Sequence, residues 1–226
     1  MTESVTGTEA PEELWPDVRP EAARRLMAAA VDLFAERGYH ATTTRDIATA
    51  AGMSPAALYV HFPSKAAVLS AISRSGHQRA LDLLREAAAV ADPVEAMDRL
   101  VRRFVAWHAR RHRVARVVQY ELHALDEEDY LEVAELRRQS EREVREVIAR
   151  GMRAGVFAVA DVKVAARAVL SLGVDVARWY TVGDPEKIGA DYAGLVSRML
   201  GSAEHLIPRT APADAPSRTP RAGSSR

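Results

Sequence analysis

A chain of 226 residues is long enough for one large domain, or for a small domain joined to a larger one, each with its own core. Its 31 basic residues balance 31 acidic ones, which excludes a case for nucleic-acid binding made on net charge and leaves only local placement to argue from. The lack of cysteine excludes a disulfide framework and thiolate metal ligation.

Residues 1–17 carry Glu3, Glu9, Glu12 and Glu13 ahead of Trp15 and show no helical period, so they are expected to form a disordered arm unsuited to touching DNA. This start has neither the basic flank nor the apolar run of a secretion signal. The most apolar later stretch, residues 162–180, is interrupted by Lys163, Arg167, Asp175 and Arg178. The expectation is a cytoplasmic protein with no membrane partner. Between Pro20 and Arg37, Leu26, Ala30, Leu33 and Phe34 recur at spacings of three and four, and Gly38 supplies the stop, which predicts a first helix.

The next stretch, TTRDIATAAGMSPAALYVHFPSK from Thr43 to Lys65, predicts two short helices across a tight turn. Thr43 can cap the first, with Asp46 three residues on, and Gly52 breaks it. Ser54 and Pro55 open the second, and Pro63 ends it because proline has no backbone proton to donate. Ile47 and Leu58 are its apolar anchors, and Ala48 is small enough for close packing, which is the helix-turn-helix arrangement.

Ser64 then caps a long helix from Lys65 to about residue 90. Asp92 and Pro93 start another with Val94, Met97, Leu100, Val101, Phe104, Val105 and Trp107, and a further one is predicted from about Val114 to Leu125. The acidic run Asp126–Asp129 suits the positive end of the following helix, which extends to about Ala154 with Glu141–Arg145 and Glu146–Arg150 spaced as exposed pairs. Two last helices are predicted near 161–180 and 185–202, with more apolar positions than one covered face needs. The residues beyond Pro208 read as disordered.

The segment ATTTRDIATAAGMSPAALYVHFPSK, following LFAERGYH, closely resembles the N-terminal signature of the TetR family of bacterial transcriptional regulators. The resemblance runs from about Arg24 to Ile72 and more loosely through the helical remainder. It implies an all-α fold of about nine helices: a three-helix DNA-binding head with the helix-turn-helix over 18–64, a ligand-binding and dimerisation body over 65–205, and a disordered tail over 206–226. The ARWY ending before a Gly-Asp-Pro turn is similar to members that sense acyl-CoA thioesters in lipid or steroid breakdown. For such a ligand, Arg102, Arg103, Arg110 and Arg111 could supply charge near an opening.

Carried over position by position, the resemblance implies DNA contacts from Thr44, Arg45, Ser54, Pro55, Ala56, Ala57, Tyr59, His61 and Lys65. Arg45 would read guanine, and Tyr59, His61 and Lys65 would reach phosphates. Trp107, Gln119, Tyr120, His123, Trp179 and Tyr180 combine apolar area with a polar tip and are candidates for the ligand pocket, with core or interface roles as the alternative. Val169, Leu172, Val176, Tyr192, Leu195, Val196 and Met199 are expected at a homodimer interface.

The functional expectation is a regulator without cofactor, usually a repressor in this family, with operator DNA and a small-molecule effector as partners. The competing reading is a helical-bundle metal carrier or enzyme using His108, His112 and His123. It lacks a Glu-x-x-His motif or any placeable catalytic constellation. A third is a family member that keeps the body for protein interaction and has lost DNA binding.

Overall fold

The computed structural model describes residues 15–16 and 18–202. Among them are nine α-helices: α1 (Glu21–Arg37), α2 (Thr44–Ala50), α3 (Pro55–His61), α4 (Lys65–Ala88), α5 (Pro93–Arg110), α6 (His112–Tyr120), α7 (Glu127–Arg153), α8 (Val162–Trp179) and α9 (Pro185–Met199). A short 3-10 turn, Leu122–Ala124, joins α6 to α7. The expected helix over 114–125 is therefore cut at Tyr120.

Side-chain caps set most of the starts. Asp92 accepts the Glu95 amide at 2.8 Å, Asp126 the Asp129 amide at 2.9 Å and Asp161 the Lys163 amide at 2.7 Å, each satisfying donors that the helix cannot pair internally.

Two apolar cores form. The head core joins Leu26, Met27, Ile47, Leu58, Leu69 and Ile72 to Val114, Val117 and Val118 of α6. The body core joins Leu84, Leu100, Phe104, Val147, Ile148, Val169, Val176, Val196 and Leu200. Because the first turns of α4 belong to the head core, residue 64 is not a packing boundary. Trp15 is only 2% exposed and lies in that same core; residues 1–14, 17 and 203–226, which hold the rest of the expected arm and the expected tail, lie outside the described residues.

α9 packs along α5 at a close crossing set by Gly189, where an added Cβ would sit 2.6 Å from the Arg102 carbonyl oxygen. α8 packs on the same helix through Gly173, against the Phe104 ring. These registers correct the interface expectation. Val169, Val176 and Val196 are consumed by the body core, while Leu172 and Tyr192 are half-buried. Leu195 and Met199 remain exposed, as do Val164 and Trp179. The surplus of apolar positions was visible in the sequence, but not which of them the chain covers itself.

The expected pairs on α7 are also replaced: Glu141 accepts from Arg167 at 3.3 Å, Glu146 from Arg153 at 2.9 Å, and Arg150 donates to the Ala88 carbonyl at 2.8 Å. Gly189→Ala is expected to destabilise the fold by about 1–3 kcal/mol, because the obstructing atom is backbone and cannot swing aside. A lowered urea midpoint with unchanged slope checks this, and an unchanged midpoint contradicts it.

Candidate functional site

The head displays a small surface on a tightly tied frame. Thr43 and Asp46 form a reciprocal capping box: the Asp46 amide donates to Thr43 Oγ1 at 3.1 Å and the Thr43 amide to Asp46 Oδ2 at 2.9 Å. Those hydrogen bonds hold the Asp46 carboxyl below its ordinary range. Gly52, at φ 68°, adopts the left-handed turn that a side chain would disfavour. Ser54 then accepts the Ala57 amide at 3.2 Å, with Pro55 in the first turn of α3.

Leu58 is fully buried, and it fixes the rotation of α3. Arg45, Ser54, Pro55, Ala56 and Tyr59 are exposed; Thr44, Ala57 and His61 are half-buried. Tyr59, 54% exposed, is no core aromatic, and its hydroxyl lies 3.1 Å from Thr44 Oγ1, which joins α3 to α2. Sequence reading missed Val60, which is 78% exposed. The period could have found it, since two helical residues past inward Leu58 is a rotation of about 200°.

Lys65 is tied to the protein itself. Its ammonium donates to the carbonyls of Tyr39 at 2.6 Å and Thr42 at 2.7 Å and lies 4.2 Å from the Tyr39 ring centroid. Desolvation pushes its pKa down. The side chain ties α4 to the loop ahead of α2, with most of its donor capacity spent inside the protein.

α6 serves both halves of the molecule. Val114, Val117 and Val118 enter the head core, Arg113 Nε approaches Asp32 Oδ1 of α1 at 3.2 Å, and Glu121 beyond the helix accepts the Tyr39 amide at 3.2 Å. Gly76 of α4 lies beside Val118, where an added Cβ would make ordinary contact at 3.4 Å. Ala115, Arg116, Gln119 and Tyr120 instead line a cleft of about 1070 Å³ bounded also by α4, α5, α7, α8 and Met199 of α9.

The cleft has an apolar inner end with His77, Ala80, Phe104 and His108, and a basic rim with Arg116, Arg137, Arg138, Arg167 and Arg178. Arg138 pairs with Glu135 at 2.8 Å, Arg167 with Glu141 at 3.3 Å and Arg178 with Asp175 at 2.7 Å. Arg116 and Arg137 have no carboxylate partner among the described residues.

Of the six expected pocket residues, only Gln119 and Tyr120 line this cleft. Trp107 is buried beside His108, and Tyr180 donates to the Gly183 carbonyl at 2.7 Å. Trp179 is exposed on the outer side, and His123 stands near His40 by the head. The expected arginines are engaged elsewhere: Arg102 pairs with Asp98 at 2.6 Å, Arg103 with Glu86 at 2.7 Å and Arg110 with Glu186, while Arg111 is absent from the cleft lining.

The three histidines of the metal reading occupy different surroundings. His108 Nδ1 faces the Phe104 carbonyl at 2.8 Å, His112 Nδ1 faces the Ala109 carbonyl at 3.1 Å, and no group of three or more potential metal ligands gathers among the described residues. His77, overlooked in the sequence, shares the cleft's inner end with His108.

Comparison with known proteins agrees with this architecture. Residues 26–72 match the family described as bacterial regulatory proteins, tetR family, and residues 90–200 match the tetracyclin repressor-like C-terminal domain. The chain is 31% identical over 198 residues to the HTH-type transcriptional repressor KstR2 of Mycolicibacterium smegmatis, spanning 80% of this chain and 93% of that protein. A solved bacterial regulatory protein in the tetR family from Rhodococcus RHA1 is 40% identical, with a TM-score of 0.77 over 82% of this chain and all of that one. AibR, solved in complex with isovaleryl coenzyme A and operator DNA, shares the fold at 23% identity, with a TM-score of 0.70 over 77% of this chain and 97% of that one.

Burial depresses His77 and His108 to about 4, against 6.5 for a free imidazole. The unfolded chain therefore takes up protons first, so stability is full above about 6.5 and is lost as pH falls toward about 4. Asp46, Asp161 and Asp175 have folded pKa values below 3.8 and Glu135 is lowered from 4.5 to about 2, so most of the carboxylate loss lies below the histidine window. Urea unfolding at pH about 7.5 and about 5 is expected to give a lower midpoint at the acid value, and His77→Phe to reduce the difference. Equal midpoints would contradict the neutral buried imidazoles.

Proposed function

The chain belongs to the TetR family of bacterial transcriptional regulators, and on that premise we propose that it is a repressor controlled by a small molecule. It binds a near-palindromic operator as a homodimer and releases it when an apolar effector, an acyl-CoA thioester in particular, enters the cleft. The observation that carries the DNA reading is the double-capped helix pair whose buried Ile47 and Leu58 leave Arg45, Ser54, Pro55, Ala56, Tyr59 and Val60 facing outward. An exposed guanidinium at the start of α2 suits bidentate pairing with guanine, and the Ala and Val surface suits thymine methyls. Thr44, Tyr59 and His61 flank that surface and suit the phosphates on either side.

Exposed Val164, Trp179, Leu195 and Met199 on α8 and α9 support pairing with a second copy. Two heads would then meet successive major grooves about 34–36 Å apart. The cleft supports the effector reading: an apolar interior suits an acyl chain, and the uncommitted Arg116 and Arg137 at its rim suit the phosphates of coenzyme A. α6 is the route of control. A ligand pressing on Arg116 and Gln119 displaces a helix whose valines are seated in the head, so it favours one head orientation, with a coupling on the order of 1–3 kcal/mol.

A mobility shift with DNA flanking the protein's own gene, with and without a series of acyl-CoA thioesters, tests the proposal; no shift at low salt would sink the DNA reading. Arg45→Ala is expected to weaken operator binding by about 1–3 kcal/mol and to relax preference at one base pair. Lys65→Met is expected to lower the head's thermal stability while leaving the salt dependence of binding unchanged, since its ammonium is already committed to Tyr39 and Thr42. A salt slope reduced by about one would show that it neutralises a phosphate instead.

A further inference from the structure

His77 and His108 reach the inner end of the cleft from adjacent helices, α4 and α5, and are only 8% and 3% exposed. Each turns Nδ1 onto the carbonyl four residues back, Ser73 at 2.9 Å and Phe104 at 2.8 Å. A carbonyl oxygen only accepts, so each Nδ1 carries the proton and each Nε2 of the neutral ring is left with a lone pair. The His77 Nε2 is buried and has no partner. A buried acceptor left unpaired is costly, and in a cleft wall it marks a place where something else completes the bond.

We propose that this pair is an acceptor site for a neutral hydrogen-bond donor, and that the effector carries a hydroxyl group on its otherwise apolar part. The choice of donor follows from charge. Burial and the neighbouring Arg137 keep the His77 ring unprotonated at neutral pH, so its Nε2 offers a lone pair to its ligand and has no proton to give a carboxylate. Arg137 equally disfavours an ammonium group. The other buried residues that line that end, Ala80, Phe104 and Ala115, carry no polar side chain, so the hydroxyl would be read by the imidazoles. The inference rests on the cleft being the effector site, but not on the effector being a thioester.

The test uses the full-length protein and two matched probe series: methyl esters of straight-chain acids of six to twelve carbons, and the corresponding coenzyme A thioesters, each with and without a terminal hydroxyl. Affinity is read by displacement of a fluorescent apolar dye. The hydroxyl is expected to tighten binding about tenfold at the chain length that reaches His77, in both series, and His77→Phe to abolish that gain while still binding the plain ester. Because the variant could fold poorly, histidine nitrogen NMR on the unaltered protein supplies a second readout. The unprotonated Nε2 resonance of His77 is expected to move with the hydroxylated ester and to stay with the plain one. Equal affinities at every length, with an unmoved resonance, overturn the inference. Thioesters that bind no better than methyl esters, with the hydroxyl preference intact, would refute the coenzyme A reading and leave this one standing.

Discussion

The molecule depends on a helix of nine residues, α6, being claimed by two sets of neighbours. Its valines complete the head core, and the side chains between them form a wall of the body's cleft. Packed interiors are dense and do not deform smoothly, so a helix held in this way moves as a unit or stays put. The surrounding contacts reinforce the arrangement: Arg113 reaches α1 and Glu121 reaches the Tyr39 amide. The exposed ion pairs between α4 and α7, Arg74 with Glu132 and Arg85 with Glu143, add little energy and serve mainly to bias register.

Local chemistry made the head legible in the sequence. Thr43 with Asp46, Gly52, Ser54 with Pro55, and Ser64 each act within a few residues of themselves, and the structure has every one of these breaks and caps in the expected place. The helix starts at Asp92 and Asp126 were readable for the same reason. The partners of Lys65, the carbonyls of Tyr39 and Thr42, were not readable because they are backbone groups that no residue pattern announces. Trp15 was misread because an acidic, aperiodic segment says nothing of a single aromatic packed into a core formed elsewhere.

The body was less legible because its sites depend on how helices cross. α8 is apolar around much of its circumference, so periodicity could not say that Val169 and Val176 face α5 and leave Val164 and Trp179 outside. The small residues Gly173 and Gly189 decide that register by admitting close approach, and a glycine inside a helix reads in sequence only as a weak point. The cleft is assembled from six helices, so its two histidines, thirty-one positions apart, had no local signature. Aromatic residues with polar tips were a reasonable guess for its lining. Tyr180 instead donates its hydroxyl to the Gly183 carbonyl, Trp107 is buried beside His108, and Trp179 is exposed outside the cleft.

The frame of the head and the side chains it exhibits are separate sets of residues. Ile47, Leu58 and the capping groups hold α2 against α3, while Ala56 and Val60 point away from all of them. Mutation at the displayed positions therefore leaves the scaffold intact, and a lineage carrying this chain can drift toward new target sequences without first passing through a misfolded ancestor.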